Sequence, residues 1–371
     1  MSSSWTKPQE KCGESATANA HARSRCSTLR VATYNVLKPG SPSWVTESSE
    51  RFPYIARELL PGLQADIVGL NEVTPEFEAA LASVANGRTP HCEYIPDEAA
   101  QGKHPPSHYC VLLCYLPVLE SRSIILPRMR RRAVAALVRK GGELFIVCAV
   151  HLMAYESKQA VRREQLQILA QKLRDEGSAE WRRCAERGNV CVMGDFNLHV
   201  PDETQTIYAA GMVDAWREVH GAEKEAEARG LSWEGRRCWW LPFDDRAMRL
   251  DRIALSRSGS ARPISARLFG QECVRHARPA MLNWLCPVYP SDHLGLVIDI
   301  GMETDSQLKS VQTDAATWRT YPFSASRWES DHPPAPFQGR SIGQIVLLRI
   351  LACAGLAAMG ICAINAGRAR L

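Results

Sequence analysis

The sequence lacks the metal-cage spacing that would mark a zinc protein. Its 13 cysteines contain no short-spaced pairs of the zinc-binding kind. Cys110 and Cys114 lie four apart, but with Val111, Leu112 and Leu113 between them they read as core strand. The count is odd, and a chain of 371 residues is too long to need a disulfide scaffold. Charge of one sign is also scarce. A net charge of +5 is compatible with an anionic substrate but does not point to a dedicated nucleic-acid protein. No internal repeat is visible, and no apolar N-terminal stretch has the form of a signal peptide. The expectation is a protein that is intracellular, cytoplasmic or nuclear, not secreted, with reduced thiols.

What is present is globular: 45% hydrophobic and 23% charged residues, enough for one large domain or two ordinary ones. Residues 1–28 are rich in Ser and Ala, with Arg23, Arg25 and Gly13 among them, show no apolar period and read as a flexible lead-in. From 29 to 301 apolar runs alternate with helix-like stretches, which predicts a single α/β catalytic domain. Strands are expected at 31–36, 66–70, 111–116, 133–138, 144–150, 190–193, 250–255 and 294–300. Several are apolar on both faces, as central strands of a covered sheet are. Gly141-Gly142 predicts a tight hairpin. Residues 156–174 predict a helix with Leu166, Leu169, Ala170 and Leu173 on one face.

Residues 302–341 are rich in Pro, Ser, Asp and Gln and read as a disordered linker to a hydrophobic tail at 342–371. Within the tail, 345–364 carries one charge, Arg349. As a helix it spans about 30 Å, enough to cross a bilayer. A membrane anchor through 345–364 is one expectation; a helix packing on the domain or on another chain is the other.

Polar residues recur where apolar runs end. Asn35 follows Val31-Ala32-Thr33-Tyr34, Glu72 follows Ile67–Asn71, and His151 follows a run ending in Val150. Asp195 and Asn197 follow Val190-Cys191-Val192-Met193-Gly194. Asp251 sits in Leu250-Asp251-Arg252, and Asp292-His293 precede the last run. Side chains at strand ends share one rim of a sheet and can converge. Cleaving a phosphodiester needs a cation, an oriented water and donors to the phosphoryl oxygens. Carboxylates without thiolates suit Mg²⁺, with Mn²⁺ as the alternative. Glu72 is the first expected metal ligand, with Asn35 and Asp292. Asp195 is placed to take a proton from water, with Asn197 beside it as a neutral donor. His293, held by Asp251, would donate to phosphate, as would His151, Asn197 and Arg131. Each residue alone has a plainer role: Asn35 a turn former, Glu72 a helix cap, His151 a core histidine, Asp251 half of a surface ion pair, Asp195 with Asn197 a self-satisfied turn.

The ordered set Thr33-Tyr34-Asn35, Leu70-Asn71-Glu72-Val73, His151-Leu152, Gly194-Asp195-Phe196-Asn197, Leu250-Asp251-Arg252 and Ser291-Asp292-His293 resembles the endonuclease/exonuclease/phosphatase superfamily over about 29–300. The resemblance implies a four-layer α/β sandwich of the DNase I-like kind, two packed mixed β-sheets flanked by helices, and cleavage of phosphate esters with a divalent metal. Within it, Glu72–Phe77, Leu126–Arg131, Val213–Trp216 and Pro290–Gly295 look like the 5′-tyrosyl-DNA phosphodiesterase branch. That implies 5′-modified DNA as partner and removal of adducts from DNA 5′ ends. Tyr34 and Asn71 stand where the branch commonly has Trp and Gln, and Leu152-Met153-Ala154 lacks its acidic-polar pair. The tail resembles the sphingomyelinase branch instead, where the substrate is a phospholipid. A tethered binding protein on the same fold is a third reading. Arg128, Arg130, Arg131 and Arg132 form the one dense basic cluster, a backbone or headgroup contact or simply a solvated loop. Trp239 and Trp240 suggest stacking or loop packing. Oligomeric state is open.

Overall fold

A computed structural model describes residues 28–39, 46–85, 92–101, 106–237, 246–274 and 287–302. Fourteen strands fall within them: β1 (Leu29–Asn35), β2 (Ile67–Val73), β3 (Glu93–Pro96), β4 (Tyr109–Cys114), β5 (Val118–Ile124), β6 (Ala133–Lys140), β7 (Glu143–His151), β8 (Val190–Asp195), β9 (Met212–Asp214), β10 (Trp233–Glu234), β11 (Ala247–Met248), β12 (Asp251–Ser256), β13 (Ala261–Phe269) and β14 (Gly295–Met302). One six-stranded sheet runs β13-β14-β1-β2-β4-β3 and the other β5-β6-β7-β8-β12-β9. Both are mixed. Each has one parallel pair at its centre, β1 with β2 and β7 with β8. Antiparallel strands flank each pair, β14 beside β1 and β12 beside β8.

The apolar pattern explains the layers. In β7, Phe145, Val147 and Ala149 pack into the core between the sheets, while Ile146, Cys148 and Val150 pack outward under helices. In β1, Leu29 and Val31 face the inter-sheet core, and Ala32 and Tyr34 face the other way. Period-two alternation with both faces covered gives an unbroken apolar run. Outside the second sheet lie the helices Gln159–Asp175 and Ala179–Glu186, which bury Leu166, Leu169, Leu173 and Trp181. Outside the first lie helical turns from Ser48 to Gly62 and the helix Pro75–Ala85, with Phe52, Ile55 and Phe77 buried. The result is helix, sheet, sheet, helix, the four-layer sandwich of two packed mixed sheets.

All eight expected strands are present. The strands not anticipated are mostly the sheet edges, β13 and β3 in one sheet, β5 and β9 in the other. Edge strands are short or polar, and tolerate proline, so they carry little apolar signal. β5 reads VLESRSI and β13 holds Pro263 beside a register break. The ribbon β10-β11 is two residues long on each side. The Gly141-Gly142 turn has φ of 57° and 91° and closes the Lys140–Glu143 pair. The helix expected at 156–174 is a short 3₁₀ turn followed by Gln159–Asp175. Residues of the expected linker and tail from 303 onward, including 345–364, and Trp239 and Trp240, lie outside the described residues. Among the described residues no helix is long and apolar enough to cross a membrane.

Gly194 is fixed by its neighbours. Its φ is +147°, and a Cβ there would stand 1.8 Å from the carbonyl oxygen of Val150 on the parallel neighbour strand. Gly194→Ala is expected to cost at least about 2 kcal/mol. Urea unfolding checks this, and a midpoint equal to wild type would contradict the close approach.

Candidate active site

Strand direction gathers the polar residues. β1, β2, β7 and β8 all end at one rim, and the antiparallel strands β12 and β14 begin there. Asn35 pairs in register with Asn71, and His151 and Asp251 both pair with Asp195. Asn197 and His293 lie just beyond β8 and just before β14. The structure thus brings Asn35, Glu72, His151, Asp195, Asn197, Asp251 and His293 to one place.

The contacts are short and buried. The Asn35 side-chain amide lies 3.2 Å from Asp195 Oδ2, 3.4 Å from Glu72 Oε1 and 3.4 Å from His293 Nε2. His293 Nδ1 lies 2.7 Å from Asp251 Oδ2, and its Nε2 lies 3.9 Å from Asp195 Oδ2. His151 Nε2 lies 3.4 Å from Asp195 Oδ2. The Asn197 backbone N–H donates to Asp195 Oδ1 at 2.9 Å, and its side-chain amide donates to the Leu152 carbonyl. Glu72 and Asn197 both take left-handed backbone, with φ of 59° and 52°. Left-handed backbone is uncommon for a residue such as glutamate and costs of order 1–3 kcal/mol. At Glu72 it accompanies a register break between Leu70 and Val73, which turns the carboxylate out of the pleat.

Burial and charge set the protonation states apart. Burial opposes a charged His293, but Asp251 and Asp292, joined by Asp195, outweigh it and raise its pKa to about 10. Burial pushes Asp195 up to about 7, with His293 pulling down and Asp251 pushing up. Burial holds His151 well below the usual imidazole value, helped by Arg131 and His108. At neutral pH His293 is therefore a cation whose Nε2–H can donate, and His151 is neutral. A neutral His151 that donates from Nε2 to Asp195 leaves Nδ1 as a buried acceptor, and Nδ1 has no partner.

Asp292 and Arg131 sit differently from the other expected residues. The hydrogen-bond partners of the Asp292 carboxylate are Trp233 Nε1 at 3.0 Å and Ser291 Oγ at 3.3 Å, not Glu72 or Asn35. Arg131 turns its guanidinium into the protein: Nε donates to the His151 carbonyl, Nη2 to the Leu152 carbonyl, and Nη1 lies 2.8 Å from His108 Nε2. Arg132 leaves the basic cluster, pairing with Glu98.

Several residues were given no role from sequence. Asn71 spans the two sheets: its amide donates to the Val150 carbonyl and its oxygen accepts from the Asp195 N–H, each at 3.0 Å. Ser232 Oγ donates to Asp251 Oδ2 at 2.8 Å and accepts from the Leu250 and Asp251 N–H groups. Ser291 Oγ donates to the Asn35 carbonyl and accepts from the His293 N–H. His108 stacks near His151 at 5.8 Å between ring centres. Asn71 and Ser291 stand inside the Leu70–Val73 and Ser291–His293 motifs, and that membership was the available signal; Ser232 and His108 lie outside the quoted motifs.

Glu72 fits a hard divalent cation, whereas Asn35 turns its amide nitrogen toward Glu72 and its oxygen accepts from the Leu37 N–H, so Asn35 would join as a ligand only with the amide turned over. Glu72 accepts one backbone N–H, from Lys38, and the long contact from Asn35, so lone pairs remain on an all-oxygen donor set. Glu72, His108 and His151 also bring one ligand atom each within 4.8 Å. The charge around His108 disfavours that trio as a cage. Arg131 occupies its Nε2 and the Lys38 ammonium lies 3.5 Å from Nδ1, and with burial leading they hold its pKa at about 3. Asp251→Asn removes the main anion facing His293 and should lower the His293 pKa from about 10 toward or below 6.5. A side-chain nitrogen NMR titration reads this, and an unshifted midpoint would refute the pairing.

Comparison with solved structures gives the same fold. A humanized TDP2 of D. rerio superposes with a TM-score of 0.56 at 20% identity, over 74% of this chain and 99% of that one. D. rerio TDP2 complexed with single strand DNA product gives 0.54 at 19%, over 74% and 100%. An endonuclease/exonuclease/phosphatase from Bacteroides vulgatus gives 0.54 at 17%, over 75% and 100%. No curated protein sequence matches. The profile of the Endonuclease/Exonuclease/phosphatase family matches residues 32–293, a span that starts just before Asn35 and closes on His293, and the chain belongs to that family.

Proposed function

We propose that this chain is a divalent-metal-dependent phosphodiesterase that hydrolyses nucleic-acid phosphate esters, with adducts at DNA 5′ ends as the substrate class. The observation that carries the reading is the convergence of two titratable groups on one buried rim: His293, 2.7 Å from Asp251, faces Asp195 at 3.9 Å, and their surroundings favour a charged imidazole beside a carboxyl raised above its usual range. Paired titratable groups pushed apart by their surroundings divide acid and base work between them.

The roles follow from the contacts. Water attacks the phosphorus in line with the leaving oxygen and gives its proton to Asp195. Asn197 and His151 hold that carboxylate in place through its two oxygens. His293 cannot accept a proton while Asp251 keeps it charged, so it donates from Nε2 to a phosphoryl oxygen as charge builds there. Asn35 ties these groups together. Glu72, and Asn35 with its amide turned over, would hold Mg²⁺ or Mn²⁺, which supplies charge neutralisation on the phosphoryl oxygens. The single-strand DNA product in one D. rerio TDP2 structure supports nucleic acid as the substrate class. No observation among the described residues favours a lipid substrate.

The test is an activity panel with Mg²⁺ and Mn²⁺ on 5′-phosphotyrosyl DNA, abasic DNA, poly(A) RNA and sphingomyelin. Cleavage of 5′-phosphotyrosyl DNA is expected, and a chelator should abolish it. Asp195→Asn should lower kcat by about 10²–10⁴-fold with an unchanged melting temperature. No hydrolysis of any diester, or full activity in Asp195→Asn, would sink the reading.

A further inference from the structure

Next to the reaction centre lies a cavity of about 570 Å³, within the size range of small-molecule sites. Arg128, Arg130, Arg131 and His108 line it, together with the thioethers of Met129 and Met153. No carboxylate is among its lining residues. Its floor adjoins the catalytic residues through His108 and Arg131, which contact the His151 ring and carbonyl.

The walls are cross-braced. Gln165, fully buried, accepts from the Met153 N–H and donates to the Pro127 carbonyl, joining one wall to the other. Arg162, also fully buried and paired with Glu203, donates to the carbonyls of Met153 and Tyr155. Arg131 bonds the carbonyls of His151 and Leu152. Arg128 takes left-handed backbone, φ 60°, a strained conformation kept where the surroundings impose it.

The arginines divide their work. The Arg131 guanidinium is spent on the protein. The Arg128 side chain is 68% exposed with only a long 3.9 Å approach to Glu164, and exposed Arg130 has no partner among the described residues. Two exposed guanidinium groups above a braced, partly apolar floor match an anion that carries a flat apolar body. We propose that this cavity is a second-phosphate subsite that takes the nucleotide adjoining the scissile phosphodiester, its phosphate on Arg128 and Arg130 and its base against Met129 and Met153. The subsite rests on the phosphodiesterase reading and narrows it to strands over isolated diesters.

A binding experiment separates the two. The full chain in EDTA is titrated into a 5′-phosphorylated, fluorescein-labelled single-stranded DNA decamer, and anisotropy is followed against KCl. Arg128→Ala/Arg130→Ala is expected to weaken binding at least about 10-fold and to flatten the logarithmic salt slope by about 0.7, the contribution of the one phosphate lost. In Mg²⁺, the rise in KM should be at least about ten times larger on a decamer 5′-p-nitrophenyl ester than on the thymidine 5′-p-nitrophenyl ester. Affinity and salt slope equal to wild type would overturn the subsite, as would equal KM effects on both esters. Arginine-dependent binding to sphingomyelin vesicles without binding to the decamer would overturn it as well. Wild-type protein that cleaves neither ester would overturn the proposed function, and the anisotropy arm would still decide the subsite.

Discussion

The Asn71 side chain spans the gap between the two sheets, and the site depends on that one amide. Its two ends reach different backbone groups of the opposite sheet, the Val150 carbonyl and the Asp195 N–H. The core between the sheets is aliphatic and non-directional, so packing alone leaves their relative slide loosely set. A buried amide with both ends satisfied fixes that slide, because leaving either group unpaired costs about 1–3 kcal/mol. Asn35 on one sheet then meets Asp195 on the other at 3.2 Å, close enough for the two halves of the site to act as one.

Within that frame, burial and charge compete, and the winner differs from residue to residue. Three carboxylates around His293 overcome the cost of burying a cation. At Asp195 burial prevails over the nearby imidazolium. His151 meets Arg131 and His108 rather than an excess of anions, so burial and charge act together and keep it neutral. Three neighbouring groups thus reach three different states from the same low-dielectric surroundings.

Much of this could be read from residue order. Central strands announced themselves because covered faces require apolar residues, and the polar residue ending each run marked the rim. Edge strands such as β5 and β13 stayed hidden because solvent and bulges erase the alternation. Asn71 was noticed only as a departure from a related pattern; its bridging role needs the spacing between sheets, which no linear pattern encodes. Arg131 shows the opposite difficulty. Its place in a basic run suggested a ligand contact, yet its nitrogens are taken up by the carbonyls of His151 and Leu152 and by His108. A run of arginines does not reveal which of them turns inward.

The features that hid the edges have a consequence for how copies of the molecule meet. Among the described residues both sheets are open, and the edge of an open sheet can template a neighbour. β3 and β9 are four and three residues long. β5 presents Glu120 and Arg122, and β13 breaks register at Pro263. None offers a straight, uncharged ladder to another copy. Among the described residues, the sheet edges therefore discourage strand-to-strand pairing between copies.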